Sequence, residues 1–470
     1  MFFEIVSYVV PIVPDWVRGD SLSAWARSPP AAPLAALLNR SLSGHAASDE
    51  HGARNMEQLT LGLVLGAKAL TQLATAPLAS ACVGRVGALP VLRVATGALL
   101  VTALMFAWGG AGGAWWVCAG RAAHGAGSAL TAVAGMSLAA AVAPAPRRDD
   151  ALAALLGAVA LGVLVGYPFG GAADALWSRA APFLLLALAL AADLVLQMTL
   201  LNREELAVCG GGEGGHIGGC AGVRRVLRRG AVRACAGAVL LTTSAMATLE
   251  PCLPAWLERL GAQHWQLGAA FLPDSAAYLI ATTILGGRAR RLGSERVAVC
   301  GVVAVGCAAL CVPLARSAVA LAPAHAALGA GLGAADAALV PALAARYPRR
   351  IPALAAALQA ASSAAYALGP VCGGAVAAAF GFPAAMRALG VGNLLYAAVL
   401  YRALVAHPLS SKWGADGEPD TDTESESEGG APQEYHALRE HAPRGVGRAP
   451  RPAGHHAEAA NSDAQTDLTP

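Results

Sequence analysis

Four ionisable side chains, Lys68, Arg121, Glu250 and Asp336, stand in segments otherwise apolar enough to cross a bilayer. A charge at bilayer depth costs roughly 2.5 to 3.5 kcal/mol on insertion scales, so it persists where it faces a hydrated cavity or an opposite charge. Bases and acids drawn from separate helices are what a central polar chamber for a small cation and protons requires. Carboxylates and aromatic ring faces can hold an ammonium ion, and a carboxylate removed from bulk water can take up and release protons.

The elements that must position these groups are membrane helices. The chain of 470 residues is 56% hydrophobic and 13% charged, with a mean hydropathy of +0.53, a balance foreign to soluble globular domains. Alanine, glycine and leucine fill the apolar runs, and small residues let helices approach closely in lipid. The fold class is therefore an all-α membrane protein rather than a barrel, whose strands would alternate apolar and polar residues.

At roughly 20 apolar residues per span, helices are expected near 59–81, 88–108, 114–143, 150–173, 181–201, 234–257, 265–287, 296–315, 318–345, 352–379 and 382–405. An incomplete first helix at 1–18, ending in Pro11, Pro14, Asp15 and Trp16, precedes a polar loop at 19–57. The organisation that follows is the rest of an N-terminal half at 58–201, a linker at 202–233, a C-terminal half at 234–406 and a tail at 407–470.

Charge orients the chain. Arg85, Arg93, Arg147, Arg148, Arg288, Arg290, Arg291, Arg346, Arg349 and Arg350 fall on alternate connections, and Arg224, Arg225, Arg228, Arg229 and Arg233 crowd the linker. Arginine accumulates on the cytoplasmic side, so both termini and the linker are expected there and the 19–57 loop in the lumen. A basic cluster beside membrane spans reads as an anchor rather than a nucleic-acid site. Asn39-Arg40-Ser41 is then a usable N-glycosylation sequon at Asn39.

The tail's run from Asp416 to Glu428, interleaved with Thr421, Thr423, Ser425 and Ser427, is too charged to bury and suits disorder or recognition by sorting machinery. Cys209, His216 and Cys220 match no metal spacing. No nucleophile-base pair, phosphate loop or metal cluster lies outside the membrane segments, which argues against an enzyme and calls for no cofactor.

The segment Gly162-Val163-Leu164-Val165-Gly166-Tyr167-Pro168-Phe169-Gly170-Gly171 combines packing glycines with a proline that frees a carbonyl. It resembles the antiporter motif of the major facilitator superfamily, whose fold has two six-helix halves, and Gly369-Pro370 with Gly373-Gly374 echoes it in the second half. Further stretches narrow the likeness. They include Gly66-Ala67-Lys68-Ala69, Gly120-Arg121 with Gly125, Leu249-Glu250-Pro251 with Trp256, Phe271-Leu272-Pro273 with Tyr278, Asp336 with Pro341, and Tyr366-Ala367-Leu368-Gly369-Pro370.

Over about 56–405 the chain resembles the vesicular amine transporters, nearest the monoamine carriers. That resemblance implies an antiporter of synaptic or secretory vesicles, exchanging lumenal protons for a small cationic amine. It assigns Lys68, Arg121, Glu250 and Asp336 to the charged cavity and Trp256, Tyr278 and Tyr366 to ligand contact. Pro11-Ile12-Val13-Pro14-Asp15 resembles acetylcholine-type vesicular carriers as much as amine ones, which keeps that substrate open.

The departures matter equally. The family's first-helix Asp-Asn pair aligns with Phe2 and Phe3, and Glu4 stands about 200° round the helix from the expected face. Gln359 occupies the position of an acid in the eleventh helix, and Thr243 replaces an asparagine. These losses leave open a transport-incompetent relative or a product lacking an upstream exon. In compensation, Asp274 lies four positions before Tyr278 on the same face, where a lost proton-carrying acid would be partly replaced.

Overall fold

The computed structural model describes residues 49–108, 113–178, 180–201, 219–262, 266 and 269–409. Among them no strand occurs, and nine helices are long and apolar enough to cross a membrane by length and composition. The expected incomplete first helix, Asn39 and the acidic tail lie outside the described residues.

The N-terminal half comprises α1 (Asp49–Val86), α2 (Ala88–Ala107), α3 (Gly113–Val142), α4 (Arg148–Leu176) and α5 (Ala181–Leu200). α1 begins inside the segment expected to be loop. No proline interrupts the chain between its start and the apolar run. Within the expected linker lies a short amphipathic helix, α6 (Gly219–Leu227), which buries Gly222, Val223 and Val226.

The C-terminal half comprises α7 (Gly230–Arg259), α8 (Leu272–Leu285), α9 (Ser294–Cys311), α10 (Ala318–Arg346), α11 (Ile351–Leu368), α12 (Gly374–Phe380) and α13 (Phe382–Ala406). The span expected at 352–379 is broken by a π-helical turn, Gly369–Gly373, containing Pro370. Proline lacks the amide hydrogen a regular turn would use, and the wider π turn absorbs the defect. The span expected at 265–287 is described as helix over Leu272–Leu285, with Pro273 in its first turn.

Small residues set the packing distances. A Cβ on Gly301 would stand 2.6 Å from the Gly331 carbonyl oxygen, and one on Gly306 would stand 3.0 Å from that of Gly390. α9 is thereby drawn against both α10 and α13. Such contacts are the main source of helix affinity in lipid, where apolar burial gives no advantage over acyl chains. Tyr396 adds a polar tie, its hydroxyl donating to the Ala234 carbonyl at 2.9 Å between α13 and α7.

The two halves meet through α1 and α3 against α11, and through α4 against α8 and α10. A single apolar cluster unites both at the end bearing the arginine-rich connections, with Val83, Val133 and Leu152 from one half and Leu339, Leu354 and Leu400 from the other. Beside it Asp149 pairs with Arg290, and Gly287 leaves room for the Asp150 carboxylate. At the opposite end the apolar clusters part. Leu99, Phe106, Val117 and Phe183 form one within the N-terminal half, while Leu249, Leu253, Phe271, Leu321 and Met386 form another within the C-terminal half.

Candidate functional site

Between these end clusters lies a polar layer. Arg121 on α3 is only 4% exposed, and the Glu250 carboxylate on α7 lies within its electrostatic reach, linking the two halves. Glu250 acts in turn on Asp274, which is 5% exposed at the first turn of α8. One turn further along α8, the Tyr278 hydroxyl donates to Asp336 Oδ2 of α10 at 2.8 Å and feels both Tyr366 of α11 and Asp274. Arg121, Glu250, Asp274, Tyr278, Asp336 and Tyr366 are therefore one electrostatic neighbourhood drawn from five helices.

Glycine makes this convergence possible. A Cβ on Gly329 would fall on the Asp274 backbone oxygen and 2.8 Å from its Oδ1, and a Cβ on Gly333 would stand 2.8 Å from the Tyr278 carbonyl oxygen. α10 can thus lie flush on α8 and bring Asp336 to the tyrosine. On the other side a Cβ at Gly125, one turn after Arg121, would strike the Lys68 carbonyl oxygen and Thr71 Oγ1. This brings Lys68 onto the helix directly packed against Arg121's own.

Glu250 is positioned from α7 in a related way. Thr248 Oγ1 donates to the Gly369 carbonyl at 3.2 Å, and Gly373 lies directly against the Thr248 side chain. The π turn thus grips α7 two residues before Glu250. Pro251 and Pro254 follow within the same helix and loosen its hydrogen-bond ladder beyond the carboxylate.

Other residues anticipated from sequence have their own surroundings. Trp256 packs at a tilt on Phe382, ring centroids 5.0 Å apart, against the C-terminal apolar cluster. Gly162 and Gly166 are buried in α4, and the helix continues through Pro168, Gly170 and Gly171. Gln359 Nε2 donates to Ser363 Oγ at 3.2 Å on its own helix. Asp274 is buried, and its Oδ1 has no hydrogen-bond partner.

Two features escaped the sequence. His325 on α10 is wholly buried, with its Nδ1–H donating to the Ala270 carbonyl at 2.6 Å and its ring 5.5 Å from that of Phe271. Thr248 was one threonine among several in α7. The available signals were His325 preceding Gly329 by one turn, and Thr248 preceding Glu250 by two residues.

A multi-pass α-helical bundle, with ionisable residues from both halves meeting between end clusters, is the architecture of a membrane carrier. The chain matches the Major Facilitator Superfamily model over residues 22–273 and 235–443, and it belongs to that family. Within it the chain is a vesicular amine transporter-like member. It is 31% identical to the bovine synaptic vesicular amine transporter over 351 residues, 73% of this chain and 66% of that protein. It is 30% identical to the human chromaffin granule amine transporter over 83% of this chain and 73% of that one.

The mouse vesicular acetylcholine transporter is 27% identical over 83% of this chain and 78% of its own length. The matched region thus spans just under two thirds of the bovine relative. In fold, the chain is similar to the human organic anion transporter MFSD10, with a TM-score of 0.67, 18% identity and coverage of 85% of this chain and 96% of that one.

Proposed function

We propose that the chain is a proton-coupled antiporter that loads a monoamine into acidic synaptic or secretory vesicles by alternating access. The observation that carries this reading is the continuous electrostatic neighbourhood from Arg121 through Glu250 and Asp274 to Tyr278 and Asp336, at the junction of the two halves. Glu250 and Asp336 supply negative charge for the amine and sites for protons. Lys68 and Arg121 balance that charge when the amine is absent.

Tyr278 holds Asp336 in one orientation, and Tyr366 offers a ring face to the ammonium. Trp256 acts from the pocket's edge through its packing on Phe382. Asp274 supplements the acids as a further proton carrier. The glycines and proline of α4, Gly162, Gly166, Pro168, Gly170 and Gly171, serve the rocking of one half on the other.

The separation of the apolar clusters at the end opposite the arginines fits a conformer open to the lumen. Closure there, with release of the Asp149–Arg290 pair at the other end, gives the cytoplasm-facing state. Both termini are cytoplasmic in this reading, as the arginine-bearing connections require.

A second reading is a carrier for acetylcholine or another organic cation, favoured by the likeness to the acetylcholine transporter. A transport-incompetent relative is the third. It is favoured by the neutral Gln359, whose amide is engaged by Ser363.

The test is uptake of labelled monoamines and acetylcholine into acidified vesicles containing the full chain. Uptake of a monoamine that is abolished by a protonophore and by Asp336→Asn supports the first reading. Uptake indifferent to both overturns it, and acetylcholine uptake alone selects the second.

A further inference from the structure

α8 and the turn before it meet α10 in a fixed register. Ala270, Asp274 and Tyr278 face His325, Gly329 and Gly333 of α10, each pair 55 residues apart in sequence. At two rungs glycine admits the facing backbone: a Cβ at Gly329 would meet the Asp274 carbonyl, and one at Gly333 would stand 2.8 Å from that of Tyr278. At the remaining rung a histidine takes the place that glycine holds in the others. Its ring reaches across the interface, and Nδ1–H donates to the Ala270 carbonyl at 2.6 Å.

That bond fixes the state of the ring. A carbonyl oxygen only accepts, so Nδ1 carries the hydrogen and Nε2 of the neutral imidazole is a bare acceptor. His325 is 0% exposed, and its Nε2 has no hydrogen-bond partner. One rung on, the Oδ1 of buried Asp274 also lacks a partner. Adjacent rungs are about 6 Å apart along the helices, and helix side chains lean towards the helix start, which carries the Asp274 carboxylate back towards the imidazole. Two buried acceptors cannot satisfy one another, whereas one proton placed between them satisfies both.

Among the described residues, the charge acting on this pair is that of Glu250 on α7, which reaches Asp274. The Tyr278 hydroxyl is committed to Asp336. The cluster that holds Phe271, Leu321 and Leu328 about the ring draws Ala308, Ala309 and Val312 from α9, and Phe382 and Met386 from α13. The described charged side chains of α4, Arg148, Asp149 and Asp150, and the arginines at 288–291 belong to the far, arginine-rich end. α11 carries no charge within Ile351–Leu368, and Glu258 and Arg259 at the other end of α7 are exposed.

We infer that His325 Nε2 and Asp274 Oδ1 form a binding site for one proton, set between α8 and α10 on the side of the polar layer away from the arginine-rich connections. The proton arrives as hydronium: its O–H bond breaks to leave water, an Nε2–H bond forms, and the imidazolium donates to Oδ1 while Nδ1–H keeps its hold on Ala270. Onward transfer breaks Nε2–H, forms Oδ1–H and returns a neutral ring. That the water is lumenal and that the proton drives an amine rest on the antiporter reading above; the site itself does not.

The experiment reads the ring directly. In purified full chain carrying nitrogen-15 in its histidine rings, the His325 signal is assigned by its loss in His325→Asn, whose amide still offers Ala270 a donor but has no counterpart of Nε2. Lowering the pH from about 8 to about 5 should protonate Nε2 in the wild type, and Asp274→Asn should abolish that change. An Nε2 that stays bare throughout, or that gains its proton equally well without Asp274, overturns the site. Should His325→Asn lose its thermal stability, His325→Gln serves for the assignment in its place. In vesicles with an acid lumen, proton-driven monoamine uptake by the variant should fall by about tenfold or more beyond any fall in amine-for-amine exchange. Equal falls in the two overturn the site's part in coupling. A wild type that takes up no monoamine removes the antiporter reading and leaves the protonation of the ring to decide the site.

Discussion

Tyr278 and Asp336 are the pair through which chemistry at the site is read most directly. The hydroxyl donates to Asp336 Oδ2 at 2.8 Å between α8 and α10, and a hydrogen bond to a charged group contributes about 1.5–3 kcal/mol. Tyr278→Phe should therefore retain amine binding but lower proton-driven uptake by about tenfold or more, since about 1.4 kcal/mol is a factor of ten. Protonophore-sensitive uptake by the variant checks this. Asp274 makes a separate prediction, because a buried carboxylate on the same helix face is costly to the fold. Asp274→Asn should raise thermal stability while lowering the uptake rate, and an unaltered rate would remove it from proton transfer.

At the level of elements, close glycine contacts decide where the charged residues stand. A Cβ at Gly373 would strike Thr248, so Gly373→Ala should destabilise the bundle by about 1–3 kcal/mol, the usual cost of overpacking. Combining it with Thr248→Ala should recover part of the loss in a thermal unfolding assay, since the obstructing atoms belong to that side chain. The loss should persist in full if the π turn, rather than this contact, is what Gly373 serves. Legibility in the sequence followed the same division. Helix positions could be read from apolar length, whereas the break at Gly369–Gly373 could not, since Gly369-Pro370 with Gly373-Gly374 read only as an echo of the first half's motif within one span. What these glycines touch could not be read, because a helix sequence gives its own faces but not the neighbour each face will meet.

For the whole molecule, the joining of the halves at one end and their parting at the other sets the conformational prediction. Gly286 and Ala153 face one another across the halves, with a Cβ built at Gly286 standing 2.9 Å from that of Ala153. In a background stripped of native cysteines, Ala153→Cys with Gly286→Cys should form a disulfide on oxidation and stop uptake, and reductant should restore it. Uptake that continues in the oxidised form would show that this end need not open. In the Asp149–Arg290 pair beside it the arginine is exposed and the carboxylate is buried, so Asp149→Asn should keep the side chain's volume and change stability by about 1 kcal/mol. Its effect belongs in the cytoplasmic accessibility of nearby cysteines.

The sequence by itself determined that this is an α-helical membrane protein with charges at bilayer depth, because hydropathy and the cost of burying charge are properties of the chain alone. It also marked Asp274 as sharing a face with Tyr278, since that follows from one helix's period. Only the tertiary structure decided that Glu250 acts on both Arg121 and Asp274, that Trp256 packs on Phe382, and that His325 is sealed against Ala270. Those relations depend on the register between helices distant in sequence, which is fixed by small-residue contacts formed when the bundle assembles.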